Sequence, residues 1–187
     1  PQPQLLPGQV KLKNINGDDK LNEEDMVLIG RNDPKFIFGF NNNFSYKNFD
    51  LNIYMYGQVG KIAGANSYYD AWGSYGNRIK LGQNVPVSFK DAWSSDNQTS
   101  TRPSFIESAY GTGDLFLQKI SFLRIRNITL GYTVPISKSI CNRLRVYADI
   151  NNPCVWTNWK GQDPETDSNT NAYPNVTSFS IGVDISF

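Results

Sequence analysis

The last segment of the chain, 177–187, alternates between apolar and polar residues, and this pattern most constrains the fold. From Phe179 to Phe187 every second residue is large and apolar, and the residues between them are small or polar. Successive side chains of a strand point to opposite faces, so the segment predicts a strand with one apolar and one polar face. Its length of about ten residues suits a tilted strand that crosses a membrane. The segment therefore predicts the last strand of an outer-membrane barrel.

Four further segments repeat this alternation, which predicts an all-β, antiparallel fold. The clearest pair flanks Lys47-Asn48, where a two-residue turn is expected to join two strands into a hairpin. The predicted strands are 36–46, 49–59, 121–134, 143–155 and 177–187.

The third predicted strand contains a conflict in its alternation. Arg124 and Arg126 have the same parity as the apolar Ile128. A charge on a lipid-facing surface costs about 2–4 kcal/mol at the bilayer midplane and little near the interface. Two alternatives follow: the arginines lie above the bilayer edge, or a bulge near Arg126 changes the face of the strand.

Loop length distinguishes a barrel from a β-sandwich, which also has alternating strands. If Phe187 lies on the periplasmic side, the short connections, 47–48 and 135–143, fall on that side. The long connections then fall together on the extracellular side, as in outer-membrane barrels. These predicted extracellular segments are 1–35, 60–120 and 155–176, and the predicted barrel region is 36–187.

Composition excludes several functional classes. The chain has 187 residues, a net charge of +1 and no histidine, so neither nucleic-acid binding nor histidine chemistry is indicated. No apolar run approaches the ~18 residues of a membrane helix, and no nucleophile–base pair suggests an enzyme. The first residues do not resemble a signal peptide, so we expect the chain to begin inside a longer protein. Five strands do not close a barrel, since bacterial barrels have about eight or more, so the other strands must come from further sequence.

A set of short motifs, in order from residue 7 to residue 187, resembles one family. Each is weak alone, but their order and spacing together are specific: the carboxyl-terminal part of a SusC/RagA-type TonB-dependent outer-membrane transporter of Bacteroidota. The motifs are PGQVK at 7–11, NINGD at 14–18, IG at 29–30, DPKF at 33–36, Phe40, FSYKNFDL at 44–51, SFLRIRNITLGYTVP at 121–135, LRVY at 144–147, WT at 156–157, GQDPE at 161–165 and the terminal strand.

The resemblance implies a plugged barrel of about 22 strands, set in lipid, of which this chain supplies about five. It implies import of glycan fragments or peptides, driven through TonB by the inner-membrane proton gradient. It also implies a SusD-like lipoprotein on the outer face, and a plug region, outside this chain, that contacts TonB. Phe187 would be the signal that the barrel-assembly machinery recognises. Two alternatives remain: a soluble all-β carbohydrate-binding or adhesion module, and a barrel with a structural or assembly role.

The segment 14–25 resembles the calcium-binding loop of an EF-hand. Such loops place oxygen ligands at positions 1, 3, 5, 7, 9 and 12. The segment departs from the pattern at Asp19, where glycine is usual, and Asp25, where glutamate is usual. Clusters of Asn, Asp and Gly also form ordinary Asx turns, so calcium and a structural turn both remain open. The candidate ligands are Asn14, Asn16, Asp18, Lys20, Asn22 and Asp25.

Aromatic residues of the long loops are candidates for binding. Aromatic faces suit sugars and peptides, but they equally suit contact with a lid protein or packing within a loop. Near the strand ends, Trp156, Trp159 and Tyr173 are predicted to form part of an interfacial girdle. The candidates for ligand or lid contact are Tyr68, Tyr69, Trp72, Tyr75 and Trp93.

Two further expectations concern the polar face and the cysteines. Cys141 and Cys154 lie at opposite ends of one predicted strand, too far apart for a disulfide. The polar side chains of the strands are expected to face the lumen and to contact the plug or one another. They are Asn41, Asn43, Asn52, Tyr54, Arg145, Asp149 and Asp184.

Overall fold

The computed structural model describes residues 6–64, 81–85, 87–104, 114, 117–136, 141–166 and 172–187. Among these residues the fold is all-β, as predicted, with five strands in one sheet whose order follows the chain. No helix in the described ranges is long and apolar enough to cross a membrane. The strands are β1 (Phe36–Tyr46), β2 (Phe49–Gly64), β3 (Leu117–Val134), β4 (Arg143–Thr157) and β5 (Ser178–Ser186); short 3-10 helices occupy Glu23–Asp25 and Val87–Asp91.

The first two strands form the hairpin that the alternation predicts. β1 and β2 pair antiparallel from Phe36 opposite Val59 to Tyr46 opposite Phe49. Lys47, in the two-residue turn, has a φ of 53°, the left-handed conformation that tight hairpins require. β1 has the predicted bounds, but β2 continues to Gly64 instead of ending at residue 59.

The extra length of β2 and β3 lies where the sequence loses its alternation. Gly60 has a φ of 82°, and its backbone N–H donates to the Ser121 hydroxyl at 3.2 Å. A glycine with positive φ interrupts the pleat, so a strand that continues past it is not visible as a period of two. β3 likewise begins at Leu117, earlier than the predicted residue 121.

The chain divides into two compact units. The first contains residues 1–30, 64–117 and 168–170, and includes the EF-hand-like segment. The second contains residues 31–63, 118–167 and 171–187, and includes nearly all of the sheet. The extracellular placement of the predicted long loops stays a prediction.

Large apolar side chains of the sheet are exposed, most clearly on β5. Phe179 is 75% exposed and Ile181 is 82% exposed, and Phe187 beyond the strand is 87% exposed. In a β-sandwich a second layer would cover such a face.

Trp159 is buried, although the sequence predicted that it would be exposed in an interfacial girdle. Its side chain is buried, at 6% exposure, so its assignment to an interfacial girdle is wrong, whereas Trp156 and Tyr173 are exposed.

Candidate functional site

A β-bulge lies opposite Arg126, where a bulge was one of the two alternatives for the conflicting alternation. Ile125 pairs with Cys154, whereas Asn127 pairs with Asn151, so β4 has one more residue than β3 between these pairs. Within the bulge Asn152 has a φ of 50°. The extra residue is therefore in β4. As a result, the face of the sheet that carries Ile125 and Asn127 has odd-numbered β4 residues up to Asn151 and even-numbered ones from Cys154.

Arg124 is almost fully buried and forms an ion pair with Asp163, in the segment after β4. The guanidinium is held by two hydrogen bonds, since Nη2 donates to Oδ1 and Oδ2 of Asp163 at 2.8 Å each. Arg124 is 2% exposed and Asp163 is 4% exposed. A charge at this depth is tolerated only when it is paired and hydrogen-bonded, so each residue requires the other.

Glu165 extends the pair into a cluster with a second arginine. Its Oε2 lies 2.8 Å from Nε of Arg124, an ion-pair distance without the alignment of a hydrogen bond. Its Oε1 accepts a hydrogen bond from Nη2 of Arg126 at 2.9 Å. The Arg126 guanidinium also lies 6.0 Å from the centre of the Tyr56 ring. Two arginines therefore face two carboxylates, and the charges balance.

Asp163 also joins the two limbs of the connection between β4 and β5. Its Oδ1 accepts the backbone N–H of Glu165 at 2.9 Å, and its Oδ2 accepts that of Asn175 at 3.2 Å. Burial raises the pKa of Asp163, but the N–H of Glu165, the charge of Arg124 and the N–H of Asn175 together outweigh it, so the pKa lies below its usual value. The ionised form is the one that the cluster stabilises.

The sequence did not identify this cluster. In the sequence Asp163 and Glu165 are ordinary loop residues beside a proline, and 39 residues separate Asp163 from Arg124. The available signal was the conflict at Arg124 and Arg126, because two arginines within an apolar strand require nearby carboxylates. The charge balance favours a structural ion-pair cluster over a reactive centre.

The polar residues predicted for one face of the sheet largely satisfy one another. The side chain of Asn52 donates to Asn41 at 2.7 Å and to Asn43 at 2.6 Å. The carboxylate of Asp149 accepts hydrogen bonds from Thr129 at 2.6 Å and from the side chain of Asn127 at 2.5 Å. Contact of this face with a plug stays a prediction.

Arg145 links three strands of the sheet on this face. From β4 its guanidinium reaches Asp50 on β2 at 2.9 Å through Nε and at 2.5 Å through Nη2. It also reaches Asp184 on β5 at 3.5 Å. Gly131, on the intervening strand β3, leaves room for the pair, since a Cβ there would lie 2.5 Å from the Asp50 carboxylate and from Nε of Arg145.

The EF-hand-like segment closes on itself through hydrogen bonds. Asp25 Oδ1 accepts the N–H of Ile15 at 2.6 Å, and its Oδ2 accepts that of Asn22 at 3.1 Å. These bonds lower the pKa of Asp25, with that from Ile15 the largest cause. The side-chain N–H of Asn14 donates to the Lys20 carbonyl, an oxygen that would be a calcium ligand in an EF-hand. Such bonds favour the structural-turn alternative, and calcium binding stays a prediction.

The described part of the chain contains no group of three or more His, Cys, Asp or Glu residues arranged to hold a metal ion. The remaining EF-hand-like candidates form Asx turns: the side-chain oxygens of Asn16 and Asp18 accept the N–H groups of Asp18 and Lys20. Local hydrogen bonds therefore connect the residues of this segment.

Of the aromatic candidates, Trp93 lies in the described part of the first unit, whereas Tyr68, Tyr69, Trp72 and Tyr75 lie outside the described residues. Trp93 lines a cavity of about 340 Å³ that Lys11 and Arg102 also line. Its ring lies against Gly8, whose φ of 87° suits only glycine well. Ligand contact at Trp93 stays a prediction.

Neither cysteine forms a disulfide in the structure, in which Cys141 is buried and Cys154 is partly buried; the expected lack of a bridge between them stays a prediction. Phe187 lies just beyond β5 and is exposed. Its role in barrel assembly stays a prediction.

Comparison with known proteins indicates the kind of protein from which the sheet comes. No family profile matches the sequence. Over 97% of its length the chain is 28% identical to "TonB-dependent receptor P3" of Formosa agariphila, of which it covers 19%. Over 92% of its length it is 26% identical to "TonB-dependent receptor SusC" of Bacteroides thetaiotaomicron, of which it covers 17%. The chain thus spans about a fifth of the length of these relatives.

Solved structures have the same fold over most of the chain. The RagAB peptide importer in its open-open state superimposes with a TM-score of 0.70, at 25% identity, over 90% of this chain and 19% of that one. The RagAB peptide transporter gives a TM-score of 0.71 over the same shares, at 24% identity. These likenesses confirm the resemblance to SusC/RagA-type TonB-dependent transporters and the assignment of the sheet as part of such a barrel.

Proposed function

We propose that this chain is the carboxyl-terminal part of the barrel of a TonB-dependent outer-membrane importer. The likeness to TonB-dependent receptors over 97% of the chain carries this proposal. The fold agrees with it, because an open antiparallel sheet with exposed apolar side chains needs both lipid and further strands. The strands outside this chain would pair with β1 and β5, which are the edges of the sheet.

The proposed cargo is a glycan fragment or a peptide. One structural relative is described as a peptide importer, which supports the peptide class for that protein. In the proposed protein, a SusD-like lipoprotein covers the outer face, and a plug region contacts TonB. The polar face of the sheet, which includes Arg145 and Asp149, would border the plug or the passage, since its hydrogen-bonding groups suit a wet surface.

The proposed orientation places β5 with Phe187 on the periplasmic side. The connection 47–48 and the segment between β3 and β4 then lie in the periplasm, and the longer connections lie outside. Phe187 is exposed, as a residue recognised by the barrel-assembly machinery must be before the barrel closes. Deletion of Phe187 is expected to lower the amount of assembled protein in the outer membrane without changing its synthesis.

Extraction and migration test the barrel. The intact protein is expected to need detergent for extraction from the outer membrane, and to migrate faster in gel electrophoresis before heating than after. A protein that is released without detergent and shows no heat-dependent migration would instead support a soluble carbohydrate-binding or adhesion module.

Uptake tests the transport role. A strain without the gene is expected to lose uptake of one class of glycan fragment or peptide, and removal of TonB is expected to cause the same loss. If the barrel assembles normally but neither deletion changes uptake of any candidate, the structural or assembly role would replace the importer proposal.

A further inference from the structure

The cavity beside Trp93 lies within the first compact unit and is separate from the ion-pair cluster. Its volume is about 340 Å³, and it is lined by residues 8–11, Trp93 and residues 100–103. Small-molecule sites have volumes of about 300–1,000 Å³, so this cavity is at the lower end of that range. It therefore suits one or two small units of a ligand better than a long chain.

Local hydrogen bonds fix both walls of the cavity. Leu6 to Gln9 form a β-turn, in which the Gln9 N–H donates to the Leu6 carbonyl at 3.1 Å and Gly8 has the positive φ of 87° that a type II turn requires. The Gln9 side chain accepts the Leu6 N–H at 3.0 Å. On the other wall, the N–H of Trp93 donates to the Arg102 carbonyl at 3.0 Å. Walls that are held before a ligand arrives lower the cost of binding.

The lining of the cavity is positively charged. Lys11 and Arg102 line it, and none of its described lining residues is acidic. Asp91 lies outside the lining, with its Oδ2 at 3.9 Å from Nη1 of Arg102, too far for a hydrogen bond. The Asp91 side chain is 71% exposed, so this ion pair is weak. Asp91 offsets at most one of the two positive charges, and the charge that remains attracts an anion.

The other lining groups favour a sugar as the carrier of the negative charge. Trp93 supplies an aromatic surface, against which the apolar face of a sugar ring can pack. A Cβ at Gly8 would collide with the indole ring, so the position of the ring depends on glycine there. Thr101 adds an exposed hydroxyl, whereas the Ser100 hydroxyl accepts the Arg102 N–H at 3.0 Å and so supports the wall. An acidic peptide would supply the charge but not the ring.

We propose that this cavity binds an acidic sugar, with Lys11 and Arg102 binding its carboxylate and the Trp93 ring packing against the sugar ring. The planar guanidinium of an arginine matches the two oxygens of a carboxylate. The proposal deepens the proposed import function, because it gives the class of glycan at this site, and it rests on that function for the role of the sugar as cargo. Binding itself does not require transport, so the two can fail separately.

Calorimetric titration of the intact protein in detergent with digalacturonate tests the site. The methyl ester of the same disaccharide is the matched ligand control, because it has the same rings without the charge. Digalacturonate is expected to bind about tenfold more tightly than the ester, since hydrogen bonds to charged groups are the stronger ones. Its affinity should fall as the salt concentration rises, whereas that of the ester should not.

Four variants locate the binding. Arg102→Gln and Lys11→Gln each remove one positive charge, so each is expected to weaken binding of digalacturonate about five- to tenfold and to leave binding of the ester unchanged. Trp93→Ala is expected to weaken both ligands by the same factor, because the ring contact does not depend on charge. Lys13→Gln is the matched control, since Lys13 is exposed on the same segment and does not line the cavity. Far-UV circular dichroism checks that each variant is folded, and Lys11→Gln decides if Arg102→Gln does not fold.

Three results would overturn the proposal. The first is the absence of binding at millimolar digalacturonate, or equal affinity for its ester. The second is unchanged affinity in folded Lys11→Gln and Arg102→Gln proteins, which would put the binding elsewhere. The third is tighter binding of diglutamate than of digalacturonate, which would replace the sugar with a peptide. Uptake is a separate readout: a strain without the gene that still takes up digalacturonate would refute its role as cargo and would leave the binding site in place.

Discussion

A glycine on β3 allows a sharp test of how Arg145 links the strands. Gly131→Ala adds one methyl group, which would lie 2.5 Å from Asp50 Oδ1 and from Arg145 Nε, inside van der Waals contact. The nearest atoms belong to the ends of side chains, so they can move, but they move only by separating the ion pair. We therefore expect the variant to fold with the pair between Arg145 and Asp50 broken or weakened.

The size of the effect follows from two opposing contributions. Hydrogen bonds to charged groups contribute about 1.5–3 kcal/mol when buried, but the Asp50 side chain is 37% exposed, so we expect a loss of about 1–2 kcal/mol. Alanine stabilises a strand interior relative to glycine by about 0.5–1 kcal/mol. Gly39→Ala in β1 is the matched control, because its Cβ would have its nearest neighbour at 3.6 Å, an ordinary contact.

The assay is urea unfolding of the intact protein in detergent, followed by the fraction of folded band in unheated gels. Relative to Gly39→Ala, the free energy of unfolding of Gly131→Ala is expected to be lower by about 1–2 kcal/mol. In an Arg145→Ala background the difference between the two glycine variants should fall below about 0.5 kcal/mol, since the pair is already absent. A difference that persists in that background would refute the reasoning, because the methyl group would then clash with something other than the ion pair.

Three further predictions concern other parts of the chain. Because the pKa of Asp163 is lowered in the folded protein, its contribution to stability is present at neutral pH and is lost as the pH falls through that lowered pKa. The free energy of unfolding of the original protein in detergent should therefore fall on acidification, and Asp163→Asn should lack the part of that fall that Asp163 causes. The segment 14–25 is closed by its own hydrogen bonds, so we expect a chelator to leave its protection from proteolysis unchanged. Heat released when the intact protein is titrated with calcium would instead support the metal alternative, provided that Asp25→Ala abolishes it. Cys141 and Cys154 should both be alkylated after denaturation without a reductant. The strand register would be contradicted by an intact mass two hydrogens lower, together with a bridge between the two cysteines in peptide mapping.

The alternation of side chains was sufficient to predict the sheet, because exposed apolar residues on one face of a strand leave a period of two in the sequence. It predicted β1 with its observed bounds and the order of five antiparallel strands. It did not predict the end of β2, where Gly60 with its positive φ breaks the period while the strand continues, nor the start of β3 at Leu117. It also misplaced Trp159, because the distance of a tryptophan from a strand end does not show whether the following loop folds over it.

The ion-pair cluster shows where a local pattern still carries information about distant residues. The parity of Arg124 and Arg126 left two alternatives, a position above the bilayer edge or a bulge near Arg126. The structure contains a bulge there, with its extra residue in the partner strand at Asn152. A bulge alone does not solve the problem of a buried guanidinium, which still requires a carboxylate. Here the arginines at apolar positions coincide with an irregularity in the neighbouring strand and with acidic residues in a nearby loop. The Asp-Pro-Glu segment after β4 supplies those acidic residues.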